Sequence, residues 1–455
     1  MELYTEKIPN VAACFEAKPG VYYVKDLKHQ APTLINEAEK LGIKIYKGTA
    51  KRKTAKSEWI KIFTFGIRTP ITLYIEFSNG VKLYNYTMFD KDENPDPNEA
   101  MEVCKILSTY NYPLTGCKLL KDSWLKTSVK NIPYELTSLE KEAHFMLSMA
   151  LRGGANCVLD YDKIDFETHV DYHQLYAYVM TTHTFPQGMA KGVDGYEPHE
   201  FGIYHIAEGR ARLKKNGYAL LSVIGLDTKM AGADGEWFDL ATAIGCICDP
   251  DLTLLFENYE VEDLAIDYTI YYTYSFDGNS HFGPIAKQIY EGRMNSTGAK
   301  KRFYKLMNEY LAGYFERTTN IGCWWSSMTA QPKLDKPYKY NPSVGIFILA
   351  YARRLLNSLL HMFPKNKVAG YDTDCVFFKG KPEEISKKVM QKFGDAMGQL
   401  HFDGIYKDVI HKASKHYFGF DLEANEPFKK QSGQSKSGYG WRFDRERGEY
   451  IYEKR

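Results

Sequence analysis

Apolar and polar positions change their period along this chain, and the changes mark its elements. Thr72-Leu73-Tyr74-Ile75-Glu76-Phe77 alternates as a strand does and is closed by the turn residues Ser78-Asn79-Gly80. Val368-Ala369-Gly370-Tyr371-Asp372 and Cys375-Val376-Phe377-Phe378 are apolar and β-prone on both sides of one polar tip, which predicts a tight strand–turn–strand. Helical spacing predicts helices over Ala31–Leu41, Ser138–Leu151, Val344–Leu360 and Pro382–Leu400, and Thr137 with Glu140 is a capping-box signal for the second. From 299 to 315 one helix is two-sided. Phe303, Leu306, Met307, Tyr310 and Leu311 share one side, while Lys301 and Lys305 share the other at i,i+4 with Arg302 beside them. Residues 201–275 alternate strand-like and short helical stretches, including Asp251–Tyr259. Three segments read as irregular: the acidic, proline-bearing Asp90–Asn98, residues 318–340 with Trp324 and Trp325, and a Gly/Ser-rich basic tail bearing Lys429, Lys430, Lys436, Arg442, Arg445 and Arg447.

Length and composition narrow the class. At 455 residues, 44% apolar and 25% charged, the chain has the makeup of a soluble globular protein with two or three domains. A net charge of +2 gives no overall bias toward nucleic acid, so such binding must use local patches, such as Lys44, Lys47, Lys51, Arg52, Lys53, Lys56 and Lys61. The eight cysteines include no C-x-x-C, and Cys246-Ile247-Cys248 has no complementary pair for zinc. They read as reduced, in a cytoplasmic compartment. No signal-peptide pattern opens the chain, no apolar run reads as the ~20 residues that span a bilayer, and no membrane partner is expected.

The chemistry concentrates in acids. Asp372 and Asp374 sit one residue apart at a hairpin tip, and like charges that close persist only if solvated or bridged by a cation. Taken alone, D-x-D is most simply a solvated turn. Asp171 stands at the end of an apolar stretch and leads into Tyr172-His173-Gln174-Leu175-Tyr176, a strand-to-helix junction. Together the three acids suit hard divalent ions, and cationic helix faces suit phosphate oxygens.

In order and spacing, these stretches resemble family-B DNA polymerases, most closely the protein-primed subgroup of small bacteriophages, over roughly residues 145–420. Asp171-Tyr172-His173-Gln174-Leu175-Tyr176 resembles the first palm motif D-x-x-S-L-Y-P, Asp372-Thr373-Asp374 the palm hairpin, and Lys305 to Gly313 the fingers motif. Lys415-His416-Tyr417 matches K-x-Y, and Arg152-Gly153-Gly154 matches the subgroup's Y-R-G-G linker, with Leu151 in place of its tyrosine. The resemblance implies an α+β right-hand polymerase: a palm with an antiparallel sheet, helical fingers and a small thumb, preceded by an α/β N-terminal domain. Its segments are 1–145, 146–280 (palm), 281–320 (fingers), 321–420 (palm) and 421–455 (thumb or tail). It implies Asp171, Asp372 and Asp374 as catalytic residues. Asp171, Asp374 and the Tyr172 carbonyl would contact two Mg²⁺ or Mn²⁺ ions. Tyr176, Arg293, Lys301 and Lys305 would bind nucleotide, and Arg152, Gly153, Gly154, Lys415 and Tyr417 would bind DNA. The implied partners are primer-template DNA, deoxynucleoside triphosphates and a candidate terminal protein primer, in host cytoplasm if phage-encoded.

Departures shape the expected activity. Glu309 and Ala312 stand where the fingers motif has Asn and Tyr, Gly370 replaces the hairpin tyrosine with Tyr371 in the next position, and Ala177 replaces proline. Asp165-Phe166-Glu167 imitates the D-x-E of a proofreading exonuclease, but six residues before Asp171 it leaves no room for that domain. The expected function is therefore DNA-directed DNA synthesis without proofreading. A template-independent nucleotidyltransferase and an inactive nucleic-acid-binding subunit are the alternatives.

Overall fold

The computed structural model describes six strands between residues 14 and 85 by their backbone, then residues 144–313 and 342–431 apart from Gly225, and a final hairpin at 439–444 and 449–454. The expected helix Ala31–Leu41, the basic side chains of 44–61, the acidic loop 90–98, the Thr137/Glu140 cap and the loop 318–340 lie wholly or largely outside the described residues. The chain divides into two compact units: residues 1–132 with 284–314, and residues 133–283 with 315–455. The helical segment expected as fingers thus shares a unit with the N-terminal residues.

In the first unit, β1 (Cys14–Lys18), β2 (Val21–Val24), β3 (Lys44–Lys47), β4 (Trp59–Phe65), β5 (Ile71–Phe77) and β6 (Lys82–Asn85) form one sheet in the order β1-β2-β6-β5-β4-β3. Pairing is parallel at β2/β6 and β3/β4, and antiparallel elsewhere. β5 is the strand expected from Thr72–Phe77, and Gly80 takes the turn at φ +89.

The second unit opens with α1 (His144–Ala150), β7 (Asn156–Val158), β8 (Ile164–Tyr172), α2 (Leu175–Thr182), β9 (Thr184–Asp194) and β10 (Gly202–Leu213). There follow β11 (Ser222–Val223), β12 (Leu226–Met230), β13 (Phe238–Asp239), α3 (Leu240–Ala243), β14 (Cys246–Cys248), α4 (Asp249–Asn258) and the long β15 (Tyr259–Asp277). Helix α5 (Gly278–Met294) leaves this unit for the other, where α6 (Gly298–Gly313) follows. Back in the second unit come α7 (Pro342–Leu360), β16 (Val368–Asp372), β17 (Cys375–Lys379), α8 (Lys387–Met390), β18 (Leu400–Ala413), β19 (His416–Asp421), β20 (Glu426–Gln431) and the β21/β22 hairpin (Tyr439–Asp444, Glu449–Lys454).

Two antiparallel sheets organise the unit. One has the order β20-β19-β18-β8-β17-β16-β7, and the other β13-β10-β15-β9 with β14 also on β10. Three register shifts along β10/β15 introduce bulges, which increase twist and curl the second sheet. Its core side holds Tyr204, Ile206, Leu240, Ile247, Leu255 and Tyr259. Helix α7 begins at Pro342, whose fixed φ suits a first turn. Contrary to the sequence reading, its 18 residues Ser343–Leu360 are long and apolar enough to cross a membrane, but 78% of that stretch is buried inside the protein.

Two further expectations fail for local reasons. Pro382–Leu400 is not one helix. It is a 3-10 turn (Pro382–Glu384) and the short α8, whose Ser386 hydroxyl accepts from Val389 N–H at 3.4 Å. Gly398, at φ +83 with Tyr178 packed where a Cβ would stand, then turns the chain into β18. Among the described residues the tail forms strands: β20 extends the sheet, and Trp441 and Phe443 are in register with Tyr452 and Tyr450 in the last hairpin. The alternation of aromatic and polar residues there fits strands.

Candidate active site

The expected acidic hairpin is formed by β16 and β17, with Asp372 paired to Cys375 in register. Thr373 sits at its tip with φ 60, an uncommon conformation for a β-branched residue. Its N–H donates to Ala155 O at 2.7 Å, and its hydroxyl donates to Asp372 Oδ1 at 3.0 Å. β17 pairs with β8 so that Cys375 faces Asp171, and Tyr172 N–H donates to Asp374 O at 3.2 Å. Ordinary antiparallel pairing thereby brings together acids about 200 positions apart in sequence. Lys415, at φ 60 in the turn between β18 and β19, reaches back to Asp372 Oδ1 at 3.1 Å.

Charge in this cluster is only partly compensated, by Lys415 at Asp372. Asp171 is half-buried, and its Oδ1 atom is sealed off without a hydrogen-bond partner. Burial, then the neighbouring Asp374 and Asp403, push its carboxyl up to about 8. Burial and Asp372 push Asp374 up to about 6. Buried carboxylates that also face one another are hard oxygen donors of the kind that divalent cations favour. A buried, unpartnered carboxylate oxygen and an all-oxygen donor pair in Asp171 and Asp374 fit Mg²⁺ or Mn²⁺.

Sequence reasoning missed two members. β18 lies on the other side of β8, with His401 opposite Asp171 and a bulge between Phe402 and Gly404 that contains Asp403. One ligand atom each from Asp171, His401 and Asp403 lie within 4.8 Å of one another. The signal was present: His401-x-Asp403 has the same i,i+2 spacing as Asp372-x-Asp374 in an alternating stretch. The helical periodicity of Pro382–Leu400 masks it.

Other expected residues sit as follows. Gly154 packs so close to the turn that an added Cβ would meet Thr373 Oγ1 at 2.8 Å and the Tyr176 hydroxyl at 3.1 Å. The glycine is required there by close approach. Arg152, expected to reach DNA, is 3% exposed, and its guanidinium donates to Ile244 O. Its side chain is a structural strut, so the exposed Gly153 and half-buried Gly154 are the parts of the linker open to a ligand. Arg353, itself buried and ion-paired to buried Asp251 at 2.6 Å, donates to Arg152 O at 2.7 Å and Gly153 O at 2.8 Å. Tyr417, expected to bind DNA, is only 3% exposed and packs against His169, Phe377, His411 and Phe428. Tyr176 is half-buried near this turn. Arg293 lies in the last turn of α5, and Lys301 and Lys305 are exposed on α6, all in the other unit. The side chains of Glu309 and Ala312 are outside the described residues.

Glu167, His169 and Asp171 alternate onto one face of β8. Glu167 is fully buried between His169 Nε2 and His411 Nε2, each at 2.8 Å. Burial alone would raise its carboxyl, but the two imidazole donors hold it at about 2. The folded value lies below the ordinary 4.5, so this stabilisation is complete above 4.5 and is lost as pH falls toward 2. Glu167→Gln is expected to cost on the order of 3 kcal/mol at pH 7. It should also shrink the difference in Tm between pH 7 and pH 3, which thermal denaturation at the two pH values measures.

No family model matches the chain, and no curated protein matches it. Solved structures do match in fold. Phi29 DNA polymerase complexed with primer-template DNA and incoming nucleotide substrates superposes with a TM-score of 0.65 at 16% identity, covering 92% of this chain and 87% of that one. The same enzyme with single-stranded DNA gives 0.61 at 15%, covering 91% and 83%. Its orthorhombic crystal form gives 0.62 at 17%, covering 91% and 84%. The fold is thus like that of phi29 DNA polymerase.

Proposed function

We propose that this chain is a DNA-directed DNA polymerase that adds deoxynucleotides to a 3′-hydroxyl, with a protein hydroxyl as a candidate first primer. The observation that carries the reading is the convergence of Asp171, Asp372 and Asp374 at adjacent strand ends, on a fold shared with phi29 DNA polymerase. On this reading Asp171 and Asp374, with the Tyr172 carbonyl, would hold two Mg²⁺ ions. When bound, such ions lower the pKa of the attacking hydroxyl and neutralise phosphate charge.

The chain's own residues do the rest. Lys415 keeps Asp372 paired and fixes the hairpin tip. The backbone of Gly153–Gly154, pinned by Arg353, offers a close surface for the template strand. Tyr176 lies beneath the sugar and disfavours a 2′-hydroxyl. Arg293, Lys301 and Lys305 neutralise the triphosphate and the departing pyrophosphate, where a preorganised cation is worth most. The reading includes synthesis without proofreading. The one D-x-E read in the sequence places Glu167 between two histidines, sealed from any substrate.

Primer extension with Mg²⁺ or Mn²⁺, with and without template, tests this on wild type and Asp374→Ala. Templated extension by wild type and none by the variant is expected. Equal extension without template points instead to a terminal transferase. Extension that survives Asp374→Ala overturns the assignment of the acids, and no incorporation by wild type under either metal overturns the polymerase reading.

A further inference from the structure

We propose that Asp171, His401 and Asp403 form a second, selective metal position for an imidazole-favouring cation of the Zn²⁺ class, separate from the Mg²⁺ site of Asp171 and Asp374. It rests on the polymerase reading only in that Asp171 is shared.

Geometry comes first. β8 and β18 pair with His401 opposite Asp171, so the two side chains leave the sheet on one face. Regular alternation would continue with Asp403 opposite His169. The bulge instead makes Asp403 an extra residue, with Gly404 taking that partner. Bulges commonly re-aim a side chain. Here the outcome is one ligand atom each from Asp171, His401 and Asp403 within 4.8 Å of one another, close enough for a single ion to gather by small side-chain rotations.

The donor set comes second. Carboxylates alone suit Mg²⁺, which prefers octahedral oxygen and sheds water reluctantly. One imidazole among two carboxylates shifts preference toward Zn²⁺ and Co²⁺, and three protein ligands with a fourth open position is a common zinc arrangement. The imidazole is also oriented. His401 stacks on His173 with centroids 3.9 Å apart and planes 8° from parallel. His173 is itself fixed by the backbone, its N–H donating to Gln399 O at 2.8 Å and its carbonyl accepting from Gly398 N–H at 2.7 Å. Asp403 is exposed, so an ion has a way in from solvent. Because Asp171 serves both positions, a cation held by His401 and Asp403 competes for the carboxylate on which the proposed Mg²⁺ site depends.

The test is metal binding by the full chain without DNA or nucleotide. Zn²⁺ affinity is measured by competition with a chromophoric chelator, and Co²⁺ ligation by absorbance. Wild type is expected to bind one Zn²⁺ that millimolar Mg²⁺ does not displace, and His401→Ala to weaken it by about 10-fold or more. Bound Co²⁺ should show d–d bands without a thiolate charge-transfer band. Asp374→Asn should leave the Zn²⁺ affinity in place. Should His401→Ala fold poorly by circular dichroism, His401→Gln and Asp403→Asn provide the same comparison. Unchanged Zn²⁺ affinity in the folded His401 and Asp403 variants, or a thiolate band with Co²⁺, overturns the site. Mg²⁺-dependent primer extension tests the polymerase reading by itself, so the two failures are distinguishable.

Discussion

Asp171→Asn is expected to abolish nucleotide incorporation while making the metal-free protein more resistant to heat at pH 8. The two effects share one cause. Folding raises the Asp171 carboxyl to about 8, through burial and then the charges of Asp374 and Asp403. Between the ordinary value of 3.8 and about 8, the folded protein keeps a proton that the unfolded chain has released. Stability of the metal-free protein must therefore fall as pH rises through that window. Asparagine fills the same space without a charge and removes that loss. Tm at pH 8 should rise, by about 2–4 °C for each kcal/mol relieved in a unit of this size, with little change near pH 4. Divalent cation should raise the Tm of wild type and have less effect on the variant, by mass action on the folded state. Activity moves the other way. A single preorganised charge-stabilising group is worth ~10²–10³ in rate, and losing a metal ligand should cost at least that much. Calorimetry across pH with and without Mg²⁺, together with single-nucleotide incorporation, reads both. A variant that loses Tm at pH 8 would show that Asp171 is a structural carboxylate.

Arg353→Met is expected to be among the most destabilising single changes in the second unit. The guanidinium is 1% exposed and pairs with Asp251, which is fully buried. Removing one partner leaves the other charge buried and unpaired, a cost of about 3–5 kcal/mol. The same guanidinium caps the Arg152 and Gly153 carbonyls, so its loss also frees the segment that holds Gly154 against Thr373. Chemical denaturation should show a lower midpoint. In primer extension, Arg353→Met should lose affinity for template even where it remains folded. The double change Arg353→Met with Asp251→Leu should recover much of the stability, because an apolar pair can replace a buried ion pair at little cost. Template affinity should not return with it.

The parts of this site legible in the sequence were those encoded locally. Alternating apolar residues around Asp372-Thr373-Asp374 specify a hairpin on their own. The burial of Arg152 and Tyr417 was not legible. A basic residue beside two glycines and an aromatic after a lysine both look ligand-ready. Burial depends on Ile244, 92 positions from Arg152, and on strands that approach only after the sheet assembles. Asp403 was masked differently, because the helical periodicity of 382–400 runs up to it and its bulge appears only once β18 pairs with β8. The break within 382–400 was partly announced by Gly394 and Gly398, but the helical periodicity around them was the stronger pattern.

The grouping of residues 284–314 with residues 1–132 has a topological consequence. The polypeptide passes between the two units three times, after residues 132, 283 and 314, so one unit is an excursion from the middle of the other as well as its N-terminal neighbour. A cut near residue 132 would remove only one of these three covalent crossings and leave those at 283 and 314. Truncation at Pro133 would leave residues 284–314 in the chain without the residues they are grouped with. The two units are stitched together, and are not interchangeable modules on a string.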